Sequence, residues 1–341
     1  MEKYTVMIVY GGEGYEREVS RDSARSLERI KQDNRLLPIF VYISEEGRWY
    51  VSKSGSVTDR LSELSPLVLS RGGFVSGGIY RRVDLALVMM HGDRGEDGYI
   101  SACLQSFKIK CYGSPYYTSA LVRDKAAVKL FARDIGIETT DFAYFPEGAD
   151  PSLNELSCAV RKLGFPLFVK PRRLGSSVGA SRASDVAELV LAVERASLPF
   201  GGGVLIERFV SADIEAECGF LEHPDRRFAV GAVLTGGREY SYERKYLGVD
   251  GIPAENFYPR ADSERDEIIK RSERLISALG IRGMCRVDFL VTGKGEILFN
   301  EINLIPGFTD GSLFPRLFFK SDSDMADWVF VAARSVSERA W

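Results

Sequence analysis

The first third of the chain alternates short apolar runs with a stretch of helical periodicity. Apolar residues follow one another over 5–10, 38–43 and 83–89, whereas they recur at helical spacing over 20–30. Strands that alternate with helices are typical of an open, largely parallel sheet, whose binding site lies at the carboxyl ends of its strands. The pattern therefore predicts an α/β domain over residues 1–119.

The second part of the chain is predicted to begin with a helix. Ser119 can cap its N-terminus, Asp134 would be its last residue, and Gly136 would end it. Beyond this helix the pattern changes to strands that are spaced like hairpins. The predicted strands are 165–170, 204–209, 228–234, 285–291 and 297–303, and the predicted helices are 185–196 and 263–279. We expect this part to be α+β, with one lobe over 120–207 and another over 208–341.

Composition narrows the possible classes of function. The 341 residues are 45% hydrophobic and 27% charged, and a net charge of -3 gives no broad attraction to nucleic acid or to anionic membranes. No apolar run approaches the ~18 residues of a membrane span, and the N-terminal run is too short for a secretion signal, so we expect a cytoplasmic protein. The five cysteines form no Cys-x-x-Cys pair, which predicts reduced thiols. Only two histidines are present, His91 and His223, so catalysis must rely mainly on other side chains.

Oxygen-bearing side chains occupy alternate positions of two predicted strands near the C-terminus. Arg286 and Asp288 share one face of the first strand, and Glu301 and Asn303 share one face of the second. If the two strands pair through a turn at 293–295, three oxygen ligands converge, which suits Mg²⁺. A pair of edge-strand acids that face water is an equally open interpretation.

Another segment has the donors that a phosphate group needs. Lys170 ends a predicted strand, and residues 175–179, GSSVG, offer hydroxyl groups and backbone N–H groups to an anion. This segment lacks the lysine of a Walker A motif, and an ordinary Gly-Ser turn fits it as well. The glycines at 11–14 do not follow the Gly-x-Gly-x-x-Gly pattern, which argues against a nicotinamide enzyme.

In their order along the chain, these motifs resemble those of the ATP-grasp superfamily and, within it, the D-alanine–D-alanine ligases. The motifs are EREVS (16–20), HGDRGEDG (91–98), DKAAVK (124–129), VKPRRLGSSVG (169–179), LIERFV (205–210), RKYL (244–247), RVDF (286–289) and NEINLIPGFTDGSL (300–313). The resemblance implies an ATP-grasp fold, α/β and α+β, preceded by an open parallel-sheet N-terminal domain. It also implies ATP-dependent ligation of two D-alanines through an acyl phosphate, for peptidoglycan synthesis.

The resemblance implies a nucleotide site between the two lobes. Two Mg²⁺ ions, for which Mn²⁺ could substitute, would be held by Asp288, Glu301 and Asn303. The implied contacts to ATP are Lys125, Lys170, Ser177, Glu207 (to the adenine amino group), Arg208, Phe209, Val210, Glu215, Lys245 and Asn300. The acid that contacts the ribose is ambiguous between Asp213 and Glu215, and Glu215 is favoured.

The resemblance also implies a site for the two amino acids. Glu16 would receive the ammonium group of the first D-alanine and, with Ser176 and Tyr246, would form a hydrogen-bonded trio. Arg286 would stabilise the charge of the tetrahedral intermediate. The other implied substrate contacts are His91, Gly307, Ser312 and Leu313.

Several alternatives stay open at this stage. Tyr246 after Lys245 resembles the dipeptide-forming ligases, but residues 310–311, Asp-Gly, differ from those of many relatives, so D-serine is possible as the second substrate. A different carboxylate–amine ligase and a non-catalytic nucleotide-binding protein on the same fold are further alternatives. A homodimer is expected from the resemblance alone.

Overall fold

The described part of the chain forms four β-sheets, and the three larger ones follow one another along the sequence. The computed structural model describes residues 3–149, 151–197, 203–223, 225–235, 254–255, 258–309 and 311–338. Within these ranges, none of the helices combines the length and the apolar character that a membrane span requires.

The first sheet has six strands in the order β4-β3-β2-β1-β8-β9. These strands are β1 (Tyr4–Gly11), β2 (Leu36–Ile43), β3 (Trp49–Ser52), β4 (Leu64–Pro66), β8 (Leu85–Val88) and β9 (Cys111–Tyr112), and a separate three-stranded sheet comprises β5 (Val68–Ser70), β6 (Gly73–Ser76) and β7 (Ile79–Arg82). β1 pairs in parallel with β2 and β8, and β8 pairs in parallel with β9, whereas β3 and β4 are antiparallel. The predicted open, largely parallel sheet is confirmed.

Two helices accompany the first sheet. α1 (Arg17–Ser26) continues into a 3₁₀ turn over Leu27–Gln32, and α2 (Tyr99–Ser106) follows the glycine-rich loop after β8. The predicted helix over 20–30 therefore exists, but its last turn is tightened into a 3₁₀ helix, as is frequent at helix ends.

The prediction of one helix that is capped by Ser119 and runs to Asp134 is wrong about where the helix begins. The structure has two helices here, α3 (Tyr116–Arg123) and α4 (Lys125–Asp134). Asp124 between them has an extended backbone, and its side chain accepts from the N–H groups at the start of α4, so it is the N-cap of that helix. The cap makes Lys125 the first residue of a new helix, a position that fixes where its side chain points.

The second sheet is antiparallel, in the order β10-β13-β11-β12. Its strands are β10 (Phe142–Phe145), β11 (Leu167–Pro171), β12 (Ser181–Ala183) and β13 (Val204–Arg208), and the helices beside it are α5 (Leu153–Leu163) and α6 (Val186–Ser197). A capping box at Ser152 and Glu155 begins α5, a helix that the sequence analysis missed. Both helices place leucines in the same apolar cluster as β11 and β13.

The third sheet is also antiparallel, in the order β16-β15-β14-β17-β18. Its strands are β14 (Ala212–His223), β15 (Asp225–Leu234), β16 (Ala254–Glu255), β17 (Met284–Thr292) and β18 (Ile297–Asn303), and the helices among the described residues of this part are α7 (Asp262–Leu279), α8 (Leu313–Phe318) and α9 (Asp322–Glu338). The predicted strands of the second part of the chain are confirmed, including the pairing of β17 with β18.

The last helix packs on the first sheet. Trp328 of α9 is buried, stacks on Phe308 with ring centroids 5.5 Å apart, and donates from Nε1 to the hydroxyl of Tyr112 at 3.0 Å. One apolar cluster thus contains residues of β1, β2 and β8 together with residues of α9. The division into segments 1–119, 120–207 and 208–341 stays a prediction.

Candidate active site

A cavity of about 450 Å³ is lined by residues of the second and third sheets. Every predicted ATP contact that lies in the described ranges lines this cavity: Lys125, Lys170, Ser177, Glu207, Arg208, Phe209, Val210, Glu215 and Asn300. Glu301 and Ser176 line it as well. The sequence motifs that were predicted to bind one ligand therefore meet around a single space.

Two buried lysines share one carboxylate on the wall of this cavity. Glu207 Oε2 lies 2.6 Å from Lys170 Nζ, and Glu207 Oε1 lies 2.7 Å from Lys129 Nζ. Burial would raise the pKa of Glu207, but the two ammonium groups outweigh burial and lower this pKa to about 2. Burial would lower the pKa of Lys170, but Glu207 and Glu301 outweigh it and raise that pKa, so Lys170 is held in its charged form.

Lys129 is a residue that the sequence analysis missed. Its side chain is fully buried, and Nζ donates to Thr140 Oγ1 and to the carbonyl oxygen of Phe299, each at 3.1 Å. Burial lowers the pKa of Lys129 to about 8, in spite of the attraction of Glu207. A lysine four residues after Lys125 on a helix was the available signal, since residues at that spacing share one face.

A β-bulge selects which acid faces the cavity next to these lysines. The pairing of β14 with β17 shifts register between Ala212 and Ile214, so Asp213 is the extra residue. Glu215 lines the cavity, whereas Asp213 lies beside Gly293, where an added Cβ would be 2.8 Å from Asp213 Oδ2. The one-residue shift explains why the sequence alone left the choice open.

The predicted acidic cluster is brought together by the pairing of β17 with β18. Asp288 lies directly opposite Glu301, and Arg286 lies opposite Asn303. Asn303 Nδ2 donates to Asp288 Oδ2 at 3.0 Å. Arg286 donates from Nε to Asp288 Oδ1 and from Nη2 to Asp288 Oδ2, each at 2.7 Å. Glu301 Oε2 lies 3.6 Å from Lys125 Nζ. This contact connects the acids to the lysines of the cavity wall.

A second bulge lets two consecutive residues face the cavity. Between β17 and β18 the register shifts so that Phe289 pairs with Phe299, which leaves Asn300 as the extra residue. In a regular strand Asn300 and Glu301 would point to opposite faces, yet both line the cavity. Asn300 Oδ1 accepts from Lys170 Nζ at 3.0 Å, a contact that joins the second sheet to the third.

The chemistry of these donors fits a small divalent cation. Asp288 and Glu301 supply carboxylate oxygens and Asn303 supplies an amide oxygen, and hard oxygen donors of this kind suit Mg²⁺. Within the described ranges, no group of three histidine, cysteine, aspartate or glutamate side chains could hold a metal ion.

The arginine of this cluster is buried with its acids. Burial would lower the pKa of Arg286, but Asp288 and Glu217 raise it far above its ordinary value. Its guanidinium group is therefore a fixed positive charge at the edge of the acidic cluster.

Glu16 meets the glycine-serine loop at residues 175–179. Ser176 Oγ donates to Glu16 Oε1. Ser176 and Ser177 have φ values of 53° and 57°, in the left-handed region that non-glycine residues seldom adopt, and such strain is found mostly at functional sites. Burial and the charge of Glu96 raise the pKa of Glu16, although Ser176 opposes them. Two of the three members of the predicted trio are thus in contact.

The other predicted substrate contacts fall into two groups. His91 Nε2 lies 2.8 Å from Ser23 Oγ, which also accepts from the N–H of Phe308 at 3.2 Å, so the histidine is linked to the 307–313 segment. Ser312 Oγ lies 2.8 Å from Thr309 Oγ1 and precedes the buried Leu313 at the start of α8. A Cβ on Gly307 would lie 2.8 Å from Ser312 Oγ, so only glycine allows this approach. Lys245, Tyr246 and Asp310 lie outside the described residues.

This fold and site define the ATP-grasp class of ligases, in which two antiparallel sheets enclose the nucleotide cavity. The same fold is found in D-alanyl-alanine synthetase A from Vibrio cholerae, with a TM-score of 0.85, 24% identity, and coverage of 99% of this chain and 100% of that one. The VanG D-Ala:D-Ser ligase from Enterococcus faecalis matches with a TM-score of 0.82 and 26% identity, over 97% of this chain and 100% of that one.

Sequence comparisons identify the family. Residues 5–114 match the profile described as D-ala D-ala ligase N-terminus, and residues 131–329 match the profile described as D-ala D-ala ligase C-terminus. A D-alanine–D-alanine ligase from Chlorobaculum tepidum is 34% identical, with 96% of this chain and 95% of the relative covered. The chain belongs to the D-alanine–D-alanine ligase family.

The shared carboxylate of Glu207 predicts a pH-dependent stability. Because its pKa falls from the ordinary 4.5 to about 2, Glu207 stabilises the folded state above about pH 4.5, and this contribution is lost as the pH falls toward 2. In Glu207→Gln the free energy of unfolding should drop by on the order of 3 kcal/mol at pH 6, and the difference from wild type should shrink below pH 4.5. Urea unfolding measured from pH 6 to pH 3 tests this.

The exposed Glu194 on α6 provides the matched control. Glu194→Gln should unfold like wild type at each pH. A stability difference for Glu207→Gln that stays constant from pH 6 to pH 3 would contradict the shared-carboxylate interpretation.

Proposed function

We propose that this protein joins two molecules of D-alanine into D-alanyl-D-alanine, with conversion of ATP to ADP and phosphate, for use in peptidoglycan. The observation that carries the proposal is the position of the loop at residues 175–179. Ser177 of this loop lines the nucleotide cavity, while Ser176 donates to Glu16 on the first domain. A nucleotide held by the loop would thus have its phosphates beside a site that can take an ammonium group.

The first step is phosphoryl transfer to the first D-alanine. A carboxylate oxygen of this D-alanine attacks the γ-phosphorus, the bond to the β-phosphate oxygen breaks, and D-alanyl phosphate and ADP form. Such a step depends on positioning and on neutralised charge rather than on a general base. Lys125 and Lys170 are placed for this role, and Asp288, Glu301 and Asn303 would hold Mg²⁺. When bound, Mg²⁺ neutralises charge on the phosphate oxygens.

The second step is attack by the amine of the second D-alanine on the acyl carbon. Negative charge develops on the carbonyl oxygen, and we assign its stabilisation to Arg286, whose guanidinium group is held in one orientation by Asp288. The nitrogen then gives up a proton to the departing phosphate or to water, the tetrahedral intermediate collapses, the C–O bond to phosphate breaks with release of inorganic phosphate, and the peptide bond remains.

We assign the binding of the first ammonium group to Glu16, supported by its contact with Ser176. Glu215 is our choice for the ribose, because it lines the cavity and Asp213 does not. The roles of Tyr246 and Lys245 rest on the resemblance of their motif. Glu207 already accepts from two lysines and from Thr140 Oγ1, and contact with the adenine amino group would use its remaining lone pair. His91, Gly307, Ser312 and Leu313 complete the proposed amino acid site.

We also propose that the enzyme works in the cytoplasm as a homodimer. The support is the family membership for the dimer and the absence of a long apolar run in the sequence for the location. Light scattering should give twice the mass of one chain, and fractionation should find the protein with the cytoplasmic contents. A monomer at micromolar concentration would contradict the first of these.

Turnover tests the proposed reaction directly. Purified protein with ATP, Mg²⁺ and D-alanine should release phosphate and form D-alanyl-D-alanine, read by mass spectrometry. Glu301→Gln, which removes one carboxylate charge from the acidic cluster, should reduce turnover to background in the same assay. Absence of phosphate release with every D-amino acid tried would reject the proposal.

The similarity to a D-Ala:D-Ser ligase makes D-serine the alternative second substrate. An equimolar mixture of D-alanine and D-serine should yield mainly the D-Ala-D-Ala dipeptide. A dominant D-Ala-D-Ser product would show that the protein is an ATP-dependent D-Ala:D-Ser ligase instead.

Replacement of the buried arginine tests the proposed second step. Arg286→Ala should lower kcat by about 10²–10³, because one preorganised donor to the oxyanion is lost. Arg282→Ala provides the control, since Arg282 lies on the same segment but half exposed and paired with Glu222. Wild-type kcat in a folded Arg286→Ala protein would show that this arginine has no part in the reaction.

A further inference from the structure

Arg123 is a buried arginine beside the amino acid site to which the family motifs assign no role. It is the last residue of α3, and only 7% of its side chain is exposed. Nη1 donates to Glu96 Oε2 at 2.6 Å, and Nη2 donates to Asp93 Oδ1 at 3.3 Å. Both acids belong to the glycine-rich loop 91–98, so Arg123 fastens this loop to the helix that leads to Lys125.

The position of Arg123 places it next to two parts of the proposed site. It lines one small cavity together with Glu16 and Gly175, and another together with Lys125 and Glu301. Its Nε is buried and has no hydrogen-bond partner within the described residues. A buried guanidinium nitrogen that is left unpaired is costly, and the ion pairs of Arg123 with Asp93 and Glu96 offset that cost.

The charges around Arg123 are unbalanced without it. Burial raises the pKa of Glu16 most, the negative charge of Glu96 raises it further, and Ser176, Arg123 and His91 lower it. Burial would raise the pKa of Glu96, but the charge of Arg123 is the strongest effect that holds it down. Two carboxylates in one low-dielectric site cannot both stay ionised unless a cation offsets them.

The groups that face Glu16 come from several elements. Loop 91–98 contributes His91 and Glu96, α3 contributes Arg123, and the 175–179 loop contributes the hydroxyl of Ser176. Lys125 acts on Glu96 from the start of α4. Among these groups, Arg123 is the cation that donates hydrogen bonds to the acids of loop 91–98.

We infer that Arg123 is a positioning residue for the first D-alanine: it holds loop 91–98 in place around Glu16 and offsets the surplus negative charge where the ammonium group binds. This inference rests on the proposed function, because it assumes that Glu16 receives the ammonium group. Arg123 acts through Glu96 and Glu16 and does not itself take part in the transfer of the phosphoryl or acyl group.

Two substitutions separate charge from packing. Arg123→Met keeps the length of the side chain and removes its charge, whereas Arg123→Lys keeps the charge. For each protein, kcat/KM for D-alanine is measured against pH at saturating ATP, and KM for ATP is measured in parallel. Thermal unfolding identifies any variant that does not fold.

The expected result is a shift of the acidic limb of the profile. Glu16 must be ionised to bind an ammonium group, and loss of Arg123 raises its pKa, so the acidic limb of Arg123→Met should move to higher pH by about one unit or more. At a pH below the wild-type limb, kcat/KM for D-alanine should fall by about tenfold through a higher KM. KM for ATP should stay within about twofold, and Arg123→Lys should keep the acidic limb near its wild-type position.

Other outcomes would overturn the inference. A uniform loss of activity with an unmoved pH profile, or an equal rise in the KM values for D-alanine and ATP, would assign Arg123 a purely structural role. If Arg123→Met does not fold, Arg123→Gln takes its place, and its acidic limb is compared with that of Arg123→Lys. Unfolding of all three variants would also indicate a purely structural role. Wild-type turnover with an unmoved profile refutes only this inference, whereas no wild-type turnover refutes the proposed function and this inference with it.

Discussion

The site depends on burying ionised side chains that find their partners on a different sheet or helix. An unpaired charge inside a protein is so costly that it would lose its charge or unfold its surroundings. Lys170 on β11 is bound by Glu207 of its own sheet and by Asn300 of the third sheet. Lys129 on α4 is bound by Glu207 and by the carbonyl oxygen of Phe299. The second and third sheets are therefore joined by buried charges, of which Lys170 and Glu207 also line the cavity.

Much of this arrangement could be predicted from the sequence, because it follows from local periodicity. The alternation of polar residues at Asp288, Glu301 and Asn303 predicted that these side chains converge if the two strands pair through the turn at 293–295, and the register shows that the strands do pair. The predicted strands follow the apolar runs of the sequence, such as the run over 5–10. The start of α4 was misplaced because Ser119 and Asp124 are both good caps, and only the extended backbone at Asp124 distinguishes them.

The rest could not be predicted, because it depends on irregular pairing and on contacts between distant residues. A β-bulge adds one residue to a strand without a fixed sequence signal, so the choice of Glu215 over Asp213 and the inward position of Asn300 required the structure. Lys129 and Arg123 look like ordinary helix-surface cations in the sequence. Their partners, Glu207 and Glu96, lie far away along the chain. Only the buried ion pairs of the folded structure distinguish these two cations from surface residues.

The packing of α9 on the first sheet also links the order of synthesis to the order of folding. Residues of β1, β2 and β8 are made first, but their apolar cluster includes Trp328 and its neighbours, which are made among the last. A nascent chain that has completed the first sheet still exposes the apolar surface on which α9 will rest. The part of the enzyme that carries Glu16 thus gains its full core only after the second and third sheets have been synthesised.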